Sequence, residues 1–351
     1  MSNKFIWIIC CAMVLSHACS LFSETATSKP SIKWQTNYDE AIKQGKEGSK
    51  PVILFFTGSD WCSWCTKLEQ EVLSTQEFAD AVANKFIFVK LDFPLYSAQD
   101  PQVKAQNKQL QQKFDVRSYP TIVIFDAQQN RQIGTTGYRP GGGKQYADYL
   151  LKQVNDFSSY KQKMGALDKG GFSGSDLKQL YEQAKKLNID ADATKIVSQG
   201  MKSDKSTFFL TERYRQLADE GHIHSKEAQD IRKQLLACDP TNEKHIPYHV
   251  AVIEFETYLN EMDKDNYTAE LAVAPLKTYI EKYGNKDKEH LWRLEMLISQ
   301  VYLDKNQMAS ALKHAQYSYD AAPSSVQPEI SKAIQSIRSK IDSASIVTLA
   351  H

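Results

Sequence analysis

The sequence predicts an α/β domain with a central mixed sheet flanked by helices, followed by an all-α domain of helical hairpins. Predicted strands and helices alternate between residues 32 and 158, whereas only helical periodicity is found from 175 to 345. The length of 351 residues also favours two domains, because one domain typically takes about 100–200 residues. We therefore expect two domains of different structural class.

The composition is that of an ordinary globular protein. Hydrophobic residues make up 42% of the chain and charged residues 24%, and the mean hydropathy of −0.48 excludes a polytopic membrane protein. Lysine and arginine number 43 against 42 aspartate and glutamate, which gives a net charge of +1. No global field therefore attracts nucleic acid, and we predict no nucleic-acid partner.

Residues 1–18 are predicted to be a secretory signal peptide. A short positive start ends at Lys4, and the apolar run 5–15 is too short to span a bilayer, which needs roughly 20 residues. Ser16 and Ala18 are small residues at the −3 and −1 positions of a cleavage site. A buried N-terminal helix and a retained anchor are the alternatives.

Cleavage after Ala18 would leave Cys19 as the first residue, as in a bacterial lipoprotein. Ser16 and His17 depart from the usual lipobox, so a lipid anchor at Cys19 is an alternative to a fully soluble protein. Residues 19–31 are rich in serine and threonine and are predicted to be a disordered leader. We expect an exported protein, located in a bacterial periplasm.

The α/β domain, residues 32–158, is predicted from a series of short elements. These are strands at 32–35, 51–57, 86–91, 121–125 and 131–136, and helices at 38–44, 62–73, 76–83, 103–114 and 146–154. The strand at 51–57 is a continuous apolar run, which is typical of a strand buried on both faces. The order predicts a βαβ unit followed by a β-hairpin and a last helix, and hence a mixed sheet.

A linker and a helical domain are predicted to follow. Residues 159–174 contain four glycines among charged residues and are interpreted as the linker. Helices are predicted at 176–187, 205–219, 225–237, 248–262, 268–283, 288–304 and 307–321.

One segment of the helical domain, residues 298–323, resembles a tetratricopeptide hairpin. Tyr302, Ala311 and Pro323 occupy the positions where that pattern has an aromatic residue, a small residue and a terminator. The resemblance covers one hairpin, so a generic helical array is the alternative.

The sequence Trp61-Cys62-Ser63-Trp64-Cys65 lies between the buried strand 51–57 and a helix. Cysteines at i and i+3 in a first helical turn can form a disulfide without distorting the backbone. The first cysteine lies at the helix N-terminus, where free N–H groups and the helix dipole stabilise a thiolate. We therefore predict that Cys62 is the nucleophile and that Cys65 attacks the mixed disulfide to release the substrate.

Other uses of these cysteines are less favoured. A zinc site needs four ligands, and beyond this pair the mature chain offers Cys238, scattered histidines and, after cleavage, Cys19 at its start. An inert structural disulfide is the other alternative. The sequence thus predicts redox activity with no metal and no bound cofactor, because electrons pass through the two cysteines.

Cys238 and several histidines lie in the helical domain. A buried, inert thiol is the simpler interpretation of Cys238, and a third redox cysteine or an intermolecular bridge is the alternative. His222 and His224, together with His245 and His249, suggest a metal cluster, but no acidic pattern accompanies them. We expect these histidines to be solvated or to cap helices.

Residues 31–157 resemble the thioredoxin family. The resemblance rests on the Trp-Cys-x-x-Cys motif after a buried strand and on Tyr119-Pro120-Thr121 before the next strand. It implies a cis peptide bond at Pro120, whose backbone faces the active disulfide and pairs with an extended substrate. It also implies that Gly137 lets substrate approach. Among its members, exported bacterial thiol–disulfide interchange proteins look most similar.

Five residues are predicted to bind substrate: Trp61, Trp64, Tyr119, Pro120 and Gly137. The two tryptophans would form an apolar platform for unfolded polypeptide. The dipeptide between the cysteines lacks both the histidine of strong oxidants and the proline of strong reductants. We expect an intermediate-to-reducing couple.

One feature departs from the family pattern. Typical thioredoxins bury an acid in the strand before the motif, whereas Phe55 and Phe56 occupy both plausible positions here. Asp60 is too close to the turn to be that acid. Proton transfer from Cys65 must then use water or another group, for which Lys90 on the neighbouring strand is a candidate.

Together these features predict an exported thiol–disulfide oxidoreductase, a reductase or isomerase acting on envelope proteins. The helical domain would dock a partner or substrate, and reduction would require a membrane electron-relay partner. One alternative is a non-catalytic adaptor that uses the helical domain for protein binding. The other is an oxidase that introduces disulfides.

Overall fold

The structure is a computed structural model that describes residues 31–261 and 268–349. The chain divides into two compact units, Met1–Asn155 and Asp156–His351. Within the described ranges, no helix is long and apolar enough to cross a membrane.

The predicted signal peptide, residues 1–18, lies outside the described residues. The same is true of Cys19 and of all but the last residue of the predicted leader 19–31. Their export and anchoring roles therefore stay predictions.

The first unit alternates strands and helices along the chain. They are β1 (Trp34–Gln35), α1 (Tyr38–Glu47), β2 (Val52–Thr57), α2 (Ser63–Leu68), a π-helical turn (Glu69–Leu73), α3 (Gln76–Val82), β3 (Ile87–Asp92), α4 (Pro101–Lys113), β4 (Thr121–Asp126), β5 (Arg131–Thr136) and α5 (Gly142–Ala166).

The five strands form one mixed sheet in the order β1-β3-β2-β4-β5. Strands β1 and β2 both run parallel to β3, and β4 is antiparallel to both β2 and β5. The central strand β2 pairs Phe55 with Lys90 of β3 and Phe56 with Thr121 of β4. The predicted α/β fold with a mixed sheet is confirmed.

The central strand β2 is buried along its whole length, as its apolar sequence predicts. Its side chains alternate between two faces. Val52, Leu54 and Phe56 join a cluster with Tyr38 of α1 and Leu110 of α4. A strand anchored on both faces gives the turn that follows it a rigid base.

The helix after β2 is not uniform. The sequence predicts a single helix from 62 to 73, whereas the structure ends α2 at Leu68 and continues as a π-helical turn over Glu69–Leu73. A π-helical turn contains one extra residue, and such turns are frequent at functional sites. Hydrophobic periodicity does not reveal it because Leu68, Val72 and Leu73 are all buried.

Helix α5 is longer than the predicted helix 146–154 and continues to Ala166. The interpretation of residues 159–174 as a linker is therefore wrong for most of that segment. Phe157 and Tyr160 are buried, so the helix keeps an apolar face beyond 154. The chain leaves helical structure only around Gly170 and Gly171, where positive φ angles of 75° and 88° favour glycine.

The second unit is predominantly helical, as predicted. After a 3₁₀ turn (Leu167–Lys169), its helices are α6 (Gly174–Lys186), α7 (Asp190–Gly200), α8 (Ser206–Asp219), α9 (Lys226–Cys238), α10 (Ile246–Glu261), α11 (Ala269–Tyr283), α12 (Lys288–Asp304), α13 (Met308–Ala321) and α14 (Gln327–Leu349). The helices α7 and α14 are not among those predicted from the sequence.

Helices α12 and α13 form a close hairpin in the segment that resembles a tetratricopeptide. Tyr302 and Ala311 are buried, and the Ser299 hydroxyl donates to the Ala311 carbonyl oxygen over 2.7 Å. A small residue at 311 allows this approach. The repeat-like character of the whole unit stays a prediction.

Candidate active site

The two cysteines lie at the start of α2, in the segment that follows β2. Cys62 is the N-cap of α2, and its Sγ accepts a hydrogen bond from the backbone N–H of Cys65 over 3.2 Å. A disulfide joins the two residues, whose Cα atoms are 5.2 Å apart. Both sulfurs are therefore held in the first turn of a helix.

The two side chains differ in exposure. Cys62 is 7% exposed and Cys65 is 1% exposed. The free N–H groups and the positive end of the helix dipole favour a thiolate at the N-cap position. In the reduced protein, Cys62 therefore combines the better access with the stronger stabilisation of its charged form.

Trp61 forms one wall of the site. Its indole Nε1 donates to the carbonyl oxygen of Phe93 over 2.8 Å, and its ring lies 5.5 Å from that of Tyr119. The indole covers Gly58 so closely that a Cβ there would lie 2.3 Å from the ring. The side chain is fixed in place yet 42% exposed.

Trp64 lies on the other side of the disulfide turn and is 55% exposed. Its ring is 5.4 Å from that of Tyr138, and the Lys67 ammonium lies 5.1 Å from the Trp64 ring. The Tyr138 hydroxyl donates to Glu71 over 2.5 Å, and this bond to a carboxylate raises the pKa of Tyr138. Trp64 thus offers an accessible aromatic face with a cation beside it.

Pro120 and Gly137 lie next to each other at the start of β4 and the end of β5. The Tyr119–Pro120 peptide bond is cis, and Pro120 is buried. A Cβ on Gly137 would lie 3.1 Å from the Pro120 carbonyl oxygen. Because Thr121 pairs with Phe56 near the end of β2, Pro120 lies close to where the cysteine turn begins.

Tyr119 closes this part of the site. Its ring contacts those of Trp61 and Phe93, at 5.5 Å and 5.3 Å between centroids. Its hydroxyl accepts a hydrogen bond from Gln111 over 2.9 Å, and burial raises its pKa. Trp61, Tyr119 and Phe93 therefore form a continuous aromatic surface.

The loop between β3 and α4 borders the cysteine turn and was not predicted from the sequence to be part of the site. The Asp60 carboxylate accepts hydrogen bonds from the backbone N–H groups of Leu95, Tyr96 and Ser97, over 2.9, 2.9 and 2.8 Å. These bonds, that of Leu95 foremost, lower the pKa of Asp60. Leu95 is 68% exposed and Tyr96 82% exposed, so Asp60 holds two apolar side chains out to solvent. The signal in the sequence is an adjacent pair of large side chains, Leu95 and Tyr96, directly after Pro94 in a loop.

An acid lies one helical turn after Cys65. Glu69 donates its backbone N–H to the carbonyl oxygen of Cys65, and its carboxylate is hydrogen-bonded to the Lys90 ammonium. Lys90 also lies 5.9 Å from the Phe55 ring. Residues four apart on a helix share a face. The helix thus carries an acid one turn after Cys65, paired with the Lys90 that the sequence singles out.

One expectation for the helical unit needs correction. Cys238 is exposed rather than buried, because it ends α9 on the solvent side. The four histidines considered together do not form one group. His224 stacks on Tyr258, whereas His245 lies near Asp287 and His290.

Several known proteins are similar to this chain. Residues 38–153 match the thioredoxin-like domain family. The chain is 34% identical over 311 residues to the thioredoxin-related protein DsbJ of Chlamydia pneumoniae, and the match covers 88% of each chain. It is 36% identical over 115 residues to the disulfide bond reductase DsbH of the same organism, covering 33% of this chain and 68% of DsbH.

A solved structure of a DsbH oxidoreductase is 33% identical to this chain. The match has a TM-score of 0.34 and covers 36% of this chain and 85% of that one. The match to DsbJ is long enough to extend beyond the first unit into the second.

Proposed function

The chain belongs to the thioredoxin-related proteins and is a disulfide oxidoreductase, and from that premise we propose that it is an exported reductase or isomerase of envelope proteins. One observation carries the proposal: a Cys62–Cys65 disulfide at a helix N-terminus, with Cys62 the more exposed of the two. The name of DsbH as a disulfide bond reductase supports the reducing direction.

The proposed reaction has two steps. The Cys62 thiolate attacks a substrate disulfide, which forms a mixed disulfide and releases one substrate thiolate. The Cys65 thiolate then attacks the Cys62 sulfur, which forms the Cys62–Cys65 disulfide and releases the second substrate thiolate. Two electrons pass to the substrate. The Glu69–Lys90 pair would accept the proton that Cys65 gives up.

Substrate would bind across the surface around Cys62. We assign Trp61 and Trp64 as apolar contacts, because both are fixed by neighbouring rings yet remain exposed. Pro120, Tyr119 and Gly137 would line the path of an extended polypeptide, since β4 begins beside the cysteine turn.

Export follows from the predicted signal peptide at 1–18. Disulfides form and need editing outside the cytosol, which suits a dithiol protein directed there. A membrane electron-relay partner would regenerate the reduced form, and Cys19 would provide a lipid tether if the leader is processed as in lipoproteins.

We retain the predicted domains as part of the proposal. Residues 32–158 would carry the chemistry, and residues 175–345 would dock a partner or substrate. A docking unit raises the effective concentration of substrate at the disulfide without changing the chemistry.

Reduction of insulin separates an enzyme from an adaptor. We expect the full chain to catalyse insulin reduction by dithiothreitol, the Cys62→Ser variant to lose this catalysis, and the control Cys238→Ser to keep it. Equal activity of wild type and Cys62→Ser would favour the adaptor.

The reduction potential against glutathione separates a reductase from an oxidase. A value near that of thioredoxin, about −270 mV, supports the proposal. A value near about −120 mV, as in strong oxidants, would favour an enzyme that introduces disulfides.

A further inference from the structure

We propose that His245, Asp287 and His290 form a binding site for a divalent transition-metal ion in the helical unit. One ligand atom from each of the three side chains lies within 4.8 Å of those of the other two. Two imidazoles and one carboxylate are the donor set of many transition-metal sites. The three residues come from two places in the chain, the turn before α10 and the start of α12.

Asp287 and His290 are held together by the start of α12. Asp287 is the N-cap of this helix, and its carboxylate accepts the backbone N–H of His290 over 3.2 Å. The two carboxylate oxygens also lie 2.9 and 3.0 Å from Nδ1 of His290. The Asp287 side chain is 4% exposed and that of His290 16%. The helix start therefore places two ligands in a sheltered position.

His245 reaches the same place from the turn before α10. Its ring centroid is 5.0 Å from that of His290. The buried carboxylate of Asp239 shapes the turn by accepting the backbone N–H groups of Lys244 and Ile246, over 2.9 and 3.1 Å. His245 itself has a φ of 56°, a left-handed conformation that is uncommon for histidine.

A second, independent observation points to a ligand. Nδ1 of His245 is buried and has no hydrogen-bond partner among the described residues. Leaving such a buried nitrogen without a partner is costly, so native structures rarely keep one unpaired. A metal ion bound to this nitrogen would provide the missing partner.

The surroundings resemble the outer shell of a metal site. The Tyr279 hydroxyl donates to the Asp287 carboxylate, and Asn242 Nδ2 lies 2.7 Å from the Tyr279 oxygen. Hydrogen bonds of this kind orient ligating carboxylates. The Tyr248 ring lies 4.1 Å from that of His290 and limits its rotation. Tyr279 and Asn242 would therefore act as positioning residues.

The donor set selects the class of metal. Imidazole nitrogen suits zinc, nickel, copper(II) and iron(II), whereas magnesium and calcium prefer sites built from oxygen ligands. Three protein ligands leave at least one position for water or a small ligand. A bound ion would join the turn before α10 to the start of α12 and so link two helical hairpins.

Zinc titration of the full chain tests the site. The protein is used with its Cys62–Cys65 disulfide formed and with Cys238→Ser, so that no thiol of the described residues competes for the metal. Zinc binding is measured by calorimetry, and Co²⁺ binding by its visible absorption, which reports coordination by nitrogen and oxygen. Mg²⁺ serves as the probe for an oxygen-selective site.

We expect one Zn²⁺ per chain, with no comparable binding of Mg²⁺. In the wild-type chain Nδ1 of His245 has no hydrogen-bond partner among the described residues, so the His245→Gln variant loses no protein hydrogen bond at that atom. This variant should bind Zn²⁺ at least about tenfold more weakly than the wild type. Tyr279→Phe should weaken binding by about tenfold through loss of the positioning bond. The exposed His222→Gln is the matched control and should leave the affinity unchanged.

Two outcomes would overturn the proposal. One is the absence of stoichiometric zinc binding in the Cys238→Ser protein. The other is equal affinity in the His245→Gln and His222→Gln variants, which would place the metal elsewhere. Far-UV circular dichroism of each variant verifies that the helices remain intact. Insulin reduction is a separate readout, so failure of the metal site would leave the proposed function standing.

Discussion

Cys62 and Cys65 lie at the start of the same helix, but they differ in solvent exposure. Cys62 is 7% exposed and Cys65 is 1% exposed. Cys62 is therefore the more accessible of the two residues to a second protein. We predict that Cys65→Ala traps mixed disulfides with substrate proteins, since nothing remains to resolve them. Cys62→Ala should trap none. Non-reducing electrophoresis after mixing with a disulfide-bonded protein measures both. Adducts on the Cys62 variant alone would reverse the two roles.

The Glu69–Lys90 pair gives a second prediction. Glu69→Gln should slow resolution of the mixed disulfide by about 100-fold near neutral pH, the lower range of general acid–base catalysis, because Cys65 loses its proton acceptor. Stopped-flow measurement of substrate release checks this. The deficit should shrink above about pH 8.5, where the thiol ionises without help.

Glu77→Gln, an exposed acid in the first turn of α3, is the matched control for Glu69→Gln. If the two variants resolve at the same rate, water rather than Glu69 accepts the proton.

The cysteine pair and Lys90 could be singled out from the sequence, whereas the contact between Lys90 and Glu69 could not. Cys62 and Cys65 are neighbours along one helical turn, so their spacing alone fixes their geometry. Glu69 meets Lys90 only because β3 pairs in register with β2, and that register depends on the whole sheet. Asp60 likewise acquires its partners from a loop 35 to 37 residues away along the chain.

At the scale of elements, the loop between β3 and α4 depends on one carboxylate. We predict that Asp60→Ala speeds hydrogen exchange at the amides of Leu95, Tyr96 and Ser97, because the three bonds that hold them are lost. Exchange followed by NMR or mass spectrometry measures it. Asp80→Ala, an exposed acid on α3, should leave these amides unchanged.

The same loop should respond to acid. Hydrogen bonds to the ionised form lower the pKa of Asp60, so its stabilising effect is complete above the unfolded-state pKa of about 3.9. The effect disappears as pH falls through the lower folded-state pKa. Protection of the three amides that is already lost at pH 5 would show that another group holds the loop.

The close hairpin of α12 and α13 gives a prediction about packing. Ala311 is fully buried beneath Ser299, so Ala311→Leu should overpack this contact and cost about 1–3 kcal/mol. Ala309→Leu, on the exposed side of α13, should change stability by no more than about 0.5 kcal/mol. Thermal unfolding followed by circular dichroism compares the two. Equal melting temperatures would show that the hairpin is loosely packed.

Elements with strong apolar runs were predictable, and elements that end without a sequence signal were not. The strand β2 follows from its continuous apolar sequence. Helix α5 continues past 154 because Phe157 and Tyr160 keep its apolar face, although the glycines further on suggest a break. The N-cap residue of helix α7, Ile189, makes no side-chain capping hydrogen bond, so no capping residue in the sequence marks where this helix starts.

At the scale of the whole molecule, the division at Asn155 and Asp156 suggests separable functions. We predict that a fragment of residues 31–155 folds and reduces a small disulfide at close to the rate of the full chain. It should be slower than the full chain on a scrambled, disulfide-bonded protein, because it lacks the unit that we propose docks the substrate. Steady-state rates of the fragment and of the full chain, measured on both substrates, test this prediction. Equal rates on the large substrate would assign another role to the helical unit.

The π-helical turn at Glu69–Leu73 has a consequence for how the chain tolerates changes in length. Each residue of an α-helix advances the chain by about 100° around the axis, so one residue more or less shifts the phase of everything beyond it. The extra residue lies between Cys65 and the pair Val72 and Leu73, and all three side chains are buried. Deleting one residue here would keep every hydrophobic side chain in the sequence and yet turn the disulfide away from the buried face by about 100°. This short segment therefore sets the angle around the helix axis between the disulfide and the buried residues that follow it. For that angle, the length of the segment matters more than the identity of its exposed residues.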